Sequence, residues 1–186
     1  MRPAIASQAN VAIGIAQVSS VRHGMRMALA LVFALLSTAS FASAQPAIGI
    51  SPLQIGGIPL GTSQAQARAR MTEPIRVDRL EDGYMRFVSA KQKLESYFRT
   101  GTKGVAVVTT WNRRFLTESQ VGPCSTVSAL KRAYGPLLRP FEQGGRIVAY
   151  RWGDLIFTVK DARVGTVALG RGTQAAYVAL GATQCS

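Results

Sequence analysis

The chain is poor in the residues that carry most catalytic chemistry. It has one histidine and two cysteines in 186 residues, and only nine Asp and Glu against 22 Lys and Arg. The one histidine, His23, lies in an N-terminal leader, so the remainder has none. Without histidine there is no Ser-His-Asp or Cys-His nucleophile system and no imidazole ligand for a metal. No side chain is left that titrates near neutrality unperturbed. No catalytic residue, cofactor or metal site is therefore expected. The formal charge of +13 excludes an acidic calcium cage. Only 17% of residues are charged and 47% are hydrophobic, which excludes a largely disordered chain. The length suits one or two small domains with a buried core.

Residues 25–44 read MRMALALVFALLSTASFASA. Arg22 and Arg26 supply a positive start, 27–36 is an uncharged apolar run, and Ala42-Ser43-Ala44 is an A-x-A cleavage site. Residues 1–44 are read as a signal peptide, with 1–24 an over-long extension before a second candidate start, Met25. The apolar run is short of the roughly 20 residues that span a bilayer. A membrane association arises only if the leader stays uncleaved. Arg2, Arg22 and Arg26 go with the leader while all nine acids remain, so the 142 residues after it carry +10. The expected location is secreted or periplasmic. Cys124 and Cys185 then meet an oxidising compartment, where a disulfide between them is expected. It would close a loop of about 60 residues, worth about 4 kcal/mol in the chain-entropy model.

At an offset of 61, Gly61 falls on Gly122, Leu94 on Leu155 and Gly104 on Gly165. Each stretch has a Gly, small hydroxylated residues, an Ala/Arg-rich run and a breaker. The first helix is predicted over 64–71, capped by Ser63 with Gln66 completing a capping box, and ended by Pro74. The second is predicted over 126–134, capped by Ser125 and stopped by Gly135-Pro136. Strands follow over 75–80, 84–90, 94–98 and 105–111, and then over 146–152, 155–160 and 164–169. Their short connections demand antiparallel neighbours. A last short strand is predicted over 175–180. The fold class is thus α+β, two tandem units of one helix plus an antiparallel three- or four-stranded meander, over 45–116 and 117–186. One sheet face would carry the helices, and the other would be left to solvent or a partner.

The stretches Leu60-Gly61-Thr62-Ser63 to Pro74 and Gly122 to Tyr134-Gly135, behind an export leader, resemble the BamE/SmpA-type fold. Its tandem form is the β-lactamase-inhibitor-protein type, and small secreted bacterial proteins share the pattern. The resemblance covers about residues 55–170 and implies a scaffold that binds proteins. No inhibitory residue carries over, and the lipid-anchoring cysteine of the BamE type is absent.

Ser128 and Lys131 match S-x-x-K, but no S-D-N or K-T-G follows and Ser128 reads as a helix-surface hydroxyl. Gly170-Arg171-Gly172 followed by Ala175 mimics a dinucleotide fingerprint, but too little chain follows it, and a hairpin turn is predicted there. The acids sit at turns or beside arginines, with no spacing that argues for a catalytic pair. Basic residues interleave with aromatics. Export argues against nucleic acid as a partner and points to an extracytoplasmic protein or an acidic cell-envelope component. The expected function is non-enzymatic binding through an exposed aromatic and Arg-rich sheet face, with Trp111, Arg113, Tyr150, Arg151 and Trp152 as anchors. The alternative is a small secreted hydrolase using carboxylates or the Ser-Lys pair.

Overall fold

A computed structural model describes residues 49–182 and Gln184. The leader and Cys185 lie outside the described residues. No free cysteine occurs among those described, and the Cys124–Cys185 pairing stands as a proposal.

The described chain opens with a two-stranded ribbon, β1 (Gln54–Ile55) and β2 (Ile58–Pro59). They turn on Gly56-Gly57, both at positive φ, as a two-residue hairpin of this twist requires. Ile50, Ile55 and Ile58 sink into the core at 1% exposure or less. Helix α1 (Gln64–Arg70) begins at Ser63, whose hydroxyl accepts from the Gln66 amide while the Gln66 side chain accepts from the Ser63 amide. Then come β3 (Ile75–Arg79), β4 (Tyr84–Ser89), β5 (Leu94–Arg99) and β6 (Val105–Thr110). Helix α2 (Val127–Tyr134) is capped by Thr126 rather than Ser125. The chain continues with β7 (Arg139–Gln143), β8 (Arg146–Trp152), β9 (Leu155–Lys160) and β10 (Arg163–Gly170), and closes with α3 (Gly172–Gly181).

The strands overturn the expected α+β class with two helix-plus-meander units. All eight from β3 to β10 form one antiparallel sheet in the order β3-β4-β5-β6-β10-β9-β8-β7. The architecture is mostly β, with three short helices laid on it. The join is β6 against β10, with Val167 opposite Thr110 and Gly170 opposite Val107. The physical reason lies in these two strands. Val107, Val108, Thr109 and Thr110 are all buried, as is every residue of β10 after Arg163. A strand apolar on both faces belongs in a sheet centre, and pairing the two removes two exposed edges that separate meanders would have left open. The outer strands have the opposite character. On β3, Arg76, Val77 and Arg79 are exposed, and β7 carries Arg139 and Pro140. Charge and proline on an edge discourage further pairing.

Both sheet faces are covered, which corrects the expectation of one open face. One face packs Phe87, Leu94, Phe98, Leu155 and Phe157 against Ala67 and Met71 beside α1, Leu130 and Tyr134 of α2, and the N-terminal isoleucines. The other packs Tyr84, Tyr97, Val107, Ile156 and Ala168 under α3. The strand predicted over 175–180 is therefore helix. Ala175, Ala176, Val178 and Ala179 are buried, spaced i, i+1, i+3 and i+4 as one helical stripe, and alanine is the strongest helix former. Gly170 lets the helix approach: a Cβ there would stand 2.6 Å from that of Ala175.

Candidate anion-binding clefts

Beneath α3, β3, β4 and β5 bring Asp78, Arg86, Glu95 and Tyr97 to one face. Cross-strand pairing sets Asp78 opposite Arg86, and Arg86 opposite Tyr97. Glu95 is fully buried. It accepts from the Tyr97 hydroxyl at 2.5 Å and the Thr109 hydroxyl at 3.1 Å, and the Arg86 guanidinium lies 3.9 Å away. Arg86 also donates to Asp78 from Nη2 at 2.7 Å and Nε at 3.1 Å, and Arg76 adds a third donor at 3.1 Å. These bonds set the titration of the group. The Arg86 hydrogen bond holds the Asp78 carboxyl below its usual value, over the opposition of burial and with help from the charges of Arg76 and Arg86. Burial and the neighbouring Glu95 carboxylate push the Tyr97 phenol up. Burial alone would lower Arg86, but its hydrogen bond to Asp78 carries it upward. A guanidinium between two carboxylates, one of them sealed from water, is a structural lock. Both carboxylates of this lock are committed to Arg86.

Other acids are also engaged: Glu73 meets Arg68 at 3.5 Å, and Asp154 meets Arg151 at 3.7 Å and Arg171 at 3.2 Å. Arg79 and Arg99 have no carboxylate within salt-bridge distance among the described residues. Both are exposed, and they stand at the end of the first meander where the turns after β3 and β5 meet. Two adjoining clefts of about 450 and 410 Å³ share Tyr84, Arg99 and Thr102 there. One is rimmed by Arg99, Arg171 and Gln174 over Leu60, Val105 and Val107; the other adds Arg79 and Gln64. No acidic residue lines either cleft. A third cleft, of about 510 Å³, lies at the opposite end of β10, where Arg113, Lys160 and Arg163 are offset by Asp161.

The anchors expected from sequence are not gathered on one exposed face. Tyr150 is 7% exposed and belongs to the helix-side core. Trp152 is half-buried and stacks on Tyr134, ring centres 4.4 Å apart. Arg151, its neighbour in the strand, serves the backbone instead. It donates to the carbonyls of Gly153 at 2.8 Å and of Gly172 and Gly170 at 3.2 Å, pinning the start of α3. Trp111 is half-buried beyond β6, and Arg113 is exposed at the third cleft. Ser128 is exposed on α2, while Lys131 Nζ sits 5.4 Å over the Tyr150 ring. Gly170-Arg171-Gly172 is a strand-to-helix junction rather than a hairpin turn, with Arg171 as the N-cap of α3. The sequence reading passed over Arg79 and Arg99 as a site. Their signal was position, each at a strand end beside a turn.

No group of His, Cys, Asp or Glu suited to a metal occurs among the described residues. No helix among them is long and apolar enough to cross a membrane. No protein-family model, curated protein or solved structure matches the chain.

Proposed function

We propose that this chain is a non-enzymatic binding protein, exported from the cytoplasm, that holds an acidic stretch of a partner against Arg79, Arg99 and Arg171. The supporting observation is the pair of adjoining clefts with no carboxylate in their lining, where Arg79 and Arg99 have no acidic partner among the described residues and Arg171, paired with Asp154 at 3.2 Å, keeps its side chain largely exposed. Guanidinium groups pair carboxylates with two parallel N–H donors, so three spread along two adjoining clefts favour a run of acids over a single charge. The apolar floor of Leu60, Val105 and Val107 gives the contact a part that salt does not screen. The lock around Arg86 ties β3, β4 and β5 together beside the clefts, and preorganisation lowers the cost of binding.

The test is fluorescence anisotropy with a labelled oligoglutamate peptide. Binding is expected to weaken about tenfold or more between low salt and 0.5 M salt, in line with Debye screening. The Arg79→Gln/Arg99→Gln double variant is expected to weaken it by about tenfold at low salt. An affinity indifferent to that double substitution would overturn the proposal.

A further inference from the structure

Between α3 and the first meander lies a smaller cavity of about 220 Å³, lined by Leu80, Tyr97, Tyr177 and Val178 with Arg86 and Asp82. It is continuous in its lining with the arginine clefts. Gln174 borders both it and the first cleft, and Leu80 borders both it and the second. Its chemistry differs from theirs. Arg86 is already held by Asp78 and Glu95, and Asp82 places a carboxylate at the rim, so the cavity does not attract an anion. What it offers a side chain is the aliphatic and aromatic surface of Leu80, Tyr97, Tyr177 and Val178 beside these polar groups. Tyr177 is 52% exposed, and its ring stands edge-on to Phe141 with centres 5.5 Å apart, which fixes its orientation. An exposed, oriented aromatic lining a small, partly apolar cavity is a suitable setting for an interface anchor.

We infer that the partner is an acidic polypeptide segment carrying one bulky apolar side chain, seated in this cavity against Tyr177 while its acids lie on the arginines. The inference rests on the reading of the arginine clefts given above, and extends it to a sequence preference. Gln174 and Gly181 bracket the cavity along α3 and stand seven residues apart, about 10 Å of helix. An extended peptide covers that in about three residues. Because Gln174 also borders the first arginine cleft, a Leu, Phe or similar residue within about three positions of the acids reaches the cavity.

The test compares labelled twelve-residue peptides on the full chain. One has four glutamates in a Gly-Ser background, and two others add a single Phe three residues before or after the glutamates. One Phe peptide is expected to bind about tenfold tighter than the parent, the effect of half-burying an aromatic ring. Tyr177→Ser removes that gain and leaves the parent peptide's affinity unchanged, while Tyr177→Phe keeps it. Arg99→Gln weakens all three alike. Equal binding of all three peptides, or an equal loss across them in Tyr177→Ser, overturns the anchor while leaving the arginine clefts standing. Binding of none overturns both.

Discussion

Arg86→Met isolates the lock beneath α3. Arg86 is about one-fifth exposed, and its partners Glu95 and Asp78 are 1% and 25% exposed. Methionine keeps the bulk of the arginine stem but strips the charge that Glu95 faces. Removing one partner of a buried pair costs about 3–5 kcal/mol, because the other charge is left uncompensated. Glu95 keeps the Tyr97 and Thr109 hydroxyls as donors, which places the expected cost near the lower bound, about 3 kcal/mol. Asp78 adds little, since water reaches it. For a domain of this size about 1 kcal/mol moves the midpoint by about 3 °C, so the loss is about 10 °C. The assay is urea and thermal unfolding followed by circular dichroism at neutral pH. A second variant decides the cause. Glu95→Gln in the Arg86→Met background removes the buried, uncompensated charge and leaves only the water-exposed Asp78 carboxylate, and is expected to recover at least about 1 kcal/mol over Arg86→Met alone. A cost under about 1 kcal/mol for Arg86→Met, or strict additivity in the double variant, would refute the lock.

Asp78 gives a pH signature. Its folded carboxyl titrates below the ordinary 3.8, so the stability it confers is fully present above that value and is lost as pH falls through the lower folded value. Asp78→Asn is expected to cost about 1 kcal/mol near pH 7, with the gap from the unmodified chain closing below about pH 4. A gap that persists undiminished in unfolding curves to about pH 2 contradicts this. Gly104→Ala would set a Cβ 2.5 Å from the Gly61 carbonyl oxygen, which is backbone and cannot swing aside. The expected loss is about 1–3 kcal/mol, measured by urea denaturation, and a neutral result would show that the contact relaxes.

Much of the local structure was legible because its determinants are short-range. The Ser63–Gln66 capping box and the limits of β8 and β9 all follow from neighbours in sequence. What failed was non-local. Nothing inside 105–110 names β10 as its partner, and only the lack of polar alternation in both strands hints that each is central. Pro140 hid β7, since proline argues against a strand except at an edge, which is where β7 lies. The run Ala175-Ala176-Tyr177-Val178-Ala179-Leu180 fits a buried strand or a buried helix by hydrophobicity alone, and its alanines decided for helix.

The expected anchors do not share one face for a related reason. Aromatic residues near arginines suggest a binding face only if both emerge on the same side, and successive residues of a strand point to opposite sides. Tyr150, Arg151 and Trp152 are consecutive in β8, so they cannot share a face as a trio. The two rings pack toward α2 while Arg151 reaches across to pin α3. Arg79 and Arg99 escape this alternation because each ends its strand beside a turn, where neighbours no longer cover the side chain. In a sheet covered on both faces, the ends of strands and the flank of α3 are where side chains remain accessible. Surplus positive charge stays open to solvent there, and the three arginines and Tyr177 all lie at such places.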